Sequence, residues 1–181
     1  ASPREGFSGI SLEIGFGGGE HLLAQAIHRP DHLFVGCEPF LNGVAKCLAG
    51  IDAHGVTNIR IVARDARELI AALPEGVLET VFILFPDPWP KAKHTKRRLV
   101  NAMTLSMLAR VHRPQGRLLI ATDHLDYAQW IEEVLRDHPQ YVWINHDPSM
   151  RHLAPSDWTQ TKYQRKTSAE GREPRFYECL R

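Results

Sequence analysis

"ISLEIGFGGGEH", Ile10 to His21, is the stretch from which the fold can be read. An apolar run with strand character meets Gly15, Gly17, Gly18 and Gly19, and a helical pattern follows at once. Glycines at that junction allow a tight turn and let a ligand approach the backbone closely. The same strand-to-helix unit recurs along the chain. "HLFVGCE" precedes a helical pattern over 41–54, "NIRIVAR" one over 67–73, "TVFILF" one over 99–111 and "RLLIAT" one over 125–137. Such alternation predicts an α/β fold, a largely parallel sheet with helices on both faces.

Details of the pattern sharpen the boundaries. Leu41, Val44, Leu48 and Ile51 fall on one helical face, with Gly55 placed to end that helix. Asp123 is expected to cap the helix that carries Leu125, Ala128, Ile131, Val134 and Leu135. The last two apolar stretches, "YVWIN" and "RFYECL", show no helical pattern between them and predict an antiparallel pair at one sheet edge. Residues 147–160 read as a long surface loop.

Composition narrows the class. With 181 residues, 43% of them hydrophobic, the chain suits a single domain over 1–181. No run approaches the length of a membrane span, so no membrane partner is expected. Cys37, Cys47 and Cys179 are odd in number and lack C-x-x-C spacing, which predicts neither a disulfide framework nor a metal site and suits a reducing cytoplasm. The net charge of +1 conceals a strong segregation. Residues 88–122 contain eight Lys or Arg and no Asp or Glu, so that segment carries +8 and the rest −7. A basic segment of this kind predicts a polyanionic partner.

In a doubly wound sheet, ligands bind outside the carboxyl ends of the strands. Those ends present Glu13 with the glycine loop, then Glu38, Asp65, Asp87 and Asp123, five carboxylates expected on one rim. A dinucleotide fingerprint, G-x-G-x-x-G counted from Gly15, would end on Glu20, an acid where a pyrophosphate needs the helix N-terminus. A dinucleotide is therefore disfavoured.

The run E-x-G-x-G-x-G over 13–19 resembles the first motif of class I S-adenosylmethionine-dependent methyltransferases. That resemblance implies S-adenosylmethionine as cofactor, with Glu38 accepting from the ribose hydroxyls and Asp65 with Ala66 near the adenine. "DPW" at 87–89 is similar to the D-P-P-Y motif of amino-group methyltransferases but lacks its second proline. The wider string "FPDPWPKAKHTKRR" over 85–98, with "EIGFGGGEH", "GCEPF", "ATD" and "TKYQ", resembles the tRNA (guanine-N7-)-methyltransferases. It implies a Rossmann-like, seven-stranded, mostly parallel sheet with an antiparallel edge strand, and methylation of the variable-loop guanine of tRNA. Matched motif by motif, Glu13, Gly15, Gly17, Glu38, Asp65, Ala66 and Asp87 form the cofactor set, with Asp87 also catalytic. Lys91, Asp123, Thr161, Lys162, Tyr163 and Gln164 form the tRNA set. Gln164 stands where the family has Glu, and its carbonyl oxygen can still accept a hydrogen bond. The family's longer basic segment before the first strand is expected to be missing here.

Guanine N7 carries an in-plane lone pair and no proton, so its methylation needs positioning rather than a general base. Trp89 could stack on the unstacked base or cover the core. A methyltransferase for another RNA base, a small-molecule enzyme, and a non-catalytic RNA-binding module are the competing functions. The eight cations oppose the small molecule, and the four cofactor-set acids oppose the module. The protein is expected to act on tRNA without a metal, as a monomer or a homodimer.

Overall fold

The computed structural model describes residues 6–181. Seven strands form one sheet: β1 (Ile10–Ile14), β2 (Leu33–Cys37), β3 (Ile59–Val62), β4 (Leu78–Leu84), β5 (His112–Thr122), β6 (Val142–Trp143) and β7 (Arg175–Leu180). Their order is β3-β2-β1-β4-β5-β7-β6. β1 to β5 pair in parallel, while β7 pairs antiparallel with both β5 and the edge strand β6. The change of direction therefore resides in β7, one strand in from the edge. Every residue of β1 is buried, as are six of the seven in β4, because helices cover both faces of these central strands. Leu12, Leu22, Leu78, Val81 and Ile83 are wholly buried, each contributing about 1.5–3 kcal/mol of transfer free energy.

The helices are α1 (Glu20–His28), α2 (Leu41–His54), α3 (Ala66–Ala72), α4 (Ala102–Val111), α5 (Leu125–Arg136) and α6 (Lys162–Ala169). Gly55 ends α2 at φ 62, as its position predicts. The apolar stripe of α2 differs from the expected one: Val44 and Cys47 are buried, whereas Leu41 is 72% and Leu48 51% exposed. The helix start overhangs the carboxyl edge of the sheet, where Gly43 packs against Gly17; a Cβ at Gly43 would meet the Gly17 carbonyl oxygen at 2.4 Å.

Two further expectations are corrected. His124, not Asp123, caps α5, its ring accepting from the Tyr127 N–H at 3.4 Å. The chain between β6 and β7 is not wholly loop. It holds a 3-10 turn at Pro148–Met150 and then α6, capped by Thr161. α6 buries only Gln164 and Thr167, so it has no apolar stripe for a sequence reading to find.

The amino-terminal end of the sheet is tied by polar groups. The Asn58 amide lies within hydrogen-bond reach of the Ala26, Arg29 and His32 carbonyls at 3.0, 2.9 and 2.8 Å. Glu79 pairs with Arg29 at 3.1 Å and Arg113 at 3.0 Å.

His112, at the start of β5, sits 2.5 Å from the Tyr141 hydroxyl, and burial pushes its pKa down to about 4. The unfolded chain, near 6.5, binds the extra proton first. This contribution is therefore complete above about pH 6.5 and disappears as the pH falls toward 4. We expect the protein to lose about 2 kcal/mol more than a His112→Gln variant when urea unfolding is moved from pH 7 to pH 5. Parallel curves for the two proteins would refute this.

Candidate active site

Beyond the carboxyl ends of β1, β2 and β4 lies a cavity of about 760 Å³. That is within the usual size for a site holding a small ligand. Its walls include Gly15, Glu38, Asp65, Ala66 and Asp87. β1 and β4 are adjacent although β2 and β3 intervene in sequence, so the cavity opens at the topological switch point.

The glycine loop shapes the floor. Gly15 and Gly17 have φ of 72 and 55, and a Cβ at either would meet no atom within 4 Å. The loop is held by the carboxylate after β2. Glu38 accepts from the Gly17 N–H at 2.9 Å with one oxygen and from the Phe40 N–H at 3.0 Å with the other. Those two bonds fix the loop against the start of α2 and leave the carboxylate two further acceptor positions. Asp65 caps α3 by accepting from the Arg67 N–H at 2.8 Å, and remains exposed.

Glu13 departs from the expected rim. It is 3% exposed and does not line the cavity; its Oε2 lies 2.8 Å from Nδ1 of His21 on α1. Side chains alternate along a strand, and here Ile14 takes the cavity side. Gly17 is likewise off the lining and joins the site through its bond to Glu38.

Asp87 lies in the turn after β4, exposed and without an ion pair among the described residues. Two residues that flank it, Phe85 and Trp89, have φ of 51 and 42, a conformation costly for aromatic side chains. Such strain persists where the surroundings impose it. The Phe85 N–H donates to the Ala121 carbonyl at 2.8 Å, and the Arg97 guanidinium covers the Trp89 ring at 4.9 Å. Trp89 thus faces the cavity with one side in contact with a cation.

The eight cations divide in two. Arg98 is buried; Arg110 donates to the Ile70 and Leu73 carbonyls at the end of α3; Arg113 pairs with Glu79; Arg117 pairs with Asp157 and Glu178. Lys91, Lys93, Lys96 and Arg97 are exposed and form no ion pair among the described residues. All four lie on or beside a 3-10 helix over Ala92–Arg97. The basic surface is half as large as the sequence count implies.

The "TKYQ" group forms a second wall around Phe85, outside the cavity lining. The Tyr163 ring lies 5.2 Å from Phe85, and its hydroxyl donates to Oδ1 of Asp123 at 3.3 Å. Burial, and then the Asp123 carboxylate, raise the Tyr163 pKa, so the phenol keeps its proton. Asp123 is 9% exposed, with its Oδ2 3.3 Å from Nη1 of Arg172. Gln164 is buried, its carbonyl oxygen accepting from the Trp158 indole at 2.9 Å. Thr161 caps the helix and Lys162 reaches toward Glu20 at 3.9 Å. Of the expected tRNA set, Lys91, Lys162 and Tyr163 are exposed, whereas Gln164 is committed to the fold.

Sequence reasoning did not identify Asn101, Met103 and Thr104, which complete the cavity wall, or Phe40, 70% exposed at its edge. Asn101, Met103 and Thr104 follow no motif and are gathered only by the packing of α4, whereas Phe40 ends the "GCEPF" string two residues after Glu38, a signal that could have found it. Burial raises the thiols of Cys37 and Cys47 to about 11 and of Cys179 to about 12, so none is a nucleophile at neutral pH. No cluster able to hold a metal ion, and no helix long and apolar enough to cross a membrane, occurs among the described residues.

A family described as "Putative methyltransferase" matches residues 8–176. A tRNA (guanine-N(7)-)-methyltransferase of Zymomonas mobilis is 41% identical over 95% of this chain and 74% of its own length. One of Nitrobacter hamburgensis is 44% identical over 95% of this chain and 68% of its own. The chain belongs to the tRNA (guanine-N7-)-methyltransferase family. Among solved structures, a putative methyltransferase of Streptococcus mutans in complex with SAH superposes with a TM-score of 0.64 at 9% identity, covering 96% of this chain and 89% of that one. That likeness establishes the class I methyltransferase architecture. The glycine loop and the Asp87 turn of this tRNA (guanine-N7-)-methyltransferase relative fall within the matched residues.

Proposed function

We propose that the protein transfers a methyl group from S-adenosylmethionine to N7 of the variable-loop guanine of tRNA. The observation that carries this reading is the contact between two surfaces of different chemistry at Asp87. The cavity carries Glu38, Asp65 and Asp87, and its wall also includes Lys96 and Arg97, two of the four cations without an ion pair among the described residues that begin four residues further along the chain.

The residues present fit the cofactor. Glu38 has acceptor positions left for two ribose hydroxyls, Asp65 and Ala66 face the cavity where an adenine would lie, and the open space above Gly15 admits a ligand to the backbone. Glu13 is set apart from the cavity, paired with His21, whose ring packs against Phe82 and Trp158. When bound, S-adenosylmethionine supplies an electrophilic methyl group on a sulfonium. The protein's own work is to hold a guanine in line with it, an orientation worth about 7–11 kcal/mol.

Asp87 contributes through its charge. The methylated base is cationic, and a carboxylate about 4 Å away stabilises that charge by roughly 4 kcal/mol at an effective dielectric near 20, before desolvation. Asp123 reads the base. Its Oδ2 meets only the Arg172 guanidinium, and the N1–H and 2-amino group of guanine present a similar donor fork in place of it. Adenine has no such fork. Trp89 offers a face for stacking, and Lys91 and Lys162 meet phosphate.

The test is incubation of a tRNA transcript with labelled donor, followed by chemical cleavage at 7-methylguanine. Cleavage in the variable loop supports the reading; label on an exocyclic amino group overturns it. Salt provides a second check. With Lys91, Lys93, Lys96, Arg97 and Lys162 on phosphate, log Kd for tRNA should rise with log salt at a slope of about 3.5, a loss of about a hundredfold in affinity between 50 and 200 mM. A slope near 6 would mean that the structurally paired arginines also bind RNA, and a flat dependence would remove RNA as the ligand.

A further inference from the structure

We propose that Arg98 is a positioning residue that sets the Asp87 turn and couples it to the phosphate-binding cations. This rests on the reading of Asp87 given above. By sequence, Arg98 is the last cation of an RNA-facing run. In the structure it is 2% exposed.

Its guanidinium is enclosed on every side. Nε donates to the Pro88 carbonyl at 2.9 Å, and Nη2 pairs with Asp126 in the first turn of α5. The group lies over two rings, 5.1 Å from the centre of Tyr127 and 5.2 Å from that of Trp130. Both rings are themselves fixed, and to the same residue. The Val100 N–H donates to the Tyr127 hydroxyl at 3.0 Å, while the Trp130 indole donates to the Val100 carbonyl at 2.7 Å. Arg98 is thus held in a cage whose walls are anchored two residues away along its own chain.

The turn needs such an anchor. Pro86, Pro88 and Pro90 have no N–H, so half of the six residues from Phe85 to Pro90 cannot donate a backbone hydrogen bond. Phe85 and Trp89 hold strained φ values. Arg98 takes the carbonyl of the residue next to Asp87 and supplies a bond that the turn cannot make for itself. Between that carbonyl and Arg98 lie Lys91, Lys93, Lys96 and Arg97, so both ends of the phosphate-binding segment are joined by one hydrogen bond. A phosphate drawn onto the 3-10 helix therefore acts on a closed loop that contains the Asp87 turn. Lysine cannot replace Arg98, because one ammonium cannot engage Pro88 and Asp126 in fixed directions while stacking on two rings.

Steady-state methylation of tRNA by Arg98→Ala and Arg98→Lys, with calorimetric titration of the donor, tests this. The expected result is a fall in kcat of about a hundredfold, the cost of misplacing a reacting group by about 1 Å. Donor Kd and the salt slope of tRNA binding should be unchanged. Millimolar guanidinium should restore part of kcat to Arg98→Ala and none to Asp87→Ala. An unchanged kcat, or a salt slope lowered by about one as for a lost phosphate contact, overturns the proposal. If Arg98→Ala does not fold, Asp126→Asn, altered at a half-exposed partner, should still lower kcat without raising KM, and a wild-type kcat there counts against it equally. The two readings fail separately: activity lost in Arg98→Ala but kept in Asp87→Ala removes the role of Asp87, and the reverse removes that of Arg98.

Discussion

Asp87→Ala is expected to lower kcat by about two to three orders of magnitude, the loss typical when one charge-stabilising group is removed from a transition state. Donor affinity and folding should barely change. The side chain is exposed and holds no ion pair among the described residues, so its removal leaves no buried group unsatisfied. Asp87→Asn separates the two ways in which the residue could act. It keeps an acceptor oxygen and loses the charge, so a variant as impaired as Asp87→Ala assigns the effect to electrostatics. Single-turnover rates with saturating tRNA, beside a thermal melt, make the measurement. A rate within a fewfold of the unaltered protein would show that Asp87 does not stabilise the transferring methyl group or the base.

Glu38→Ala should act on the other half of the site and show in binding rather than in turnover. The carboxylate holds the Gly17 and Phe40 N–H groups at 2.9 and 3.0 Å, and charge-assisted bonds of this kind contribute about 1.5–3 kcal/mol each. Loss of two acceptor positions for the ribose should raise the donor Kd by about a hundredfold or more, and loss of the two backbone bonds should lower stability by about 3–6 kcal/mol. Glu38→Gln retains one acceptor oxygen but turns an amide toward the second N–H, so it should fall between. Calorimetric titration with the donor and urea unfolding measure the two effects. A variant with unaltered affinity would mean that Glu38 serves the loop alone.

The chain announces its sheet because five strands are short apolar runs ended by turn residues, and the central ones, β1 and β4, are buried on both faces. The glycine loop and the acids at Glu38, Asp65 and Asp87 could be found for the same reason: position after a strand decides position on the rim. What failed to show was decided by packing between elements distant in sequence. Glu13 is one residue earlier than the strand end, and that parity turned it toward His21. Eight cations looked alike until Asp157, Glu79, Asp126 and the open carbonyls of α3 claimed four of them. α6 hid because the groups it buries, Gln164 and Thr167, are polar. Leu41 and Leu48 kept the helical spacing of a core stripe, yet the packing of α2 leaves both exposed and buries Val44 and Cys47 instead.

The Asn58 and Glu79 clusters bind the strands at the end opposite the cavity. Durability and chemistry are therefore written at opposite poles of the same strands. Substitutions that harden or soften the lower pole can accumulate without moving Glu38 or Asp87, which gives this scaffold room to follow a change of growth temperature while its reaction stays as it is.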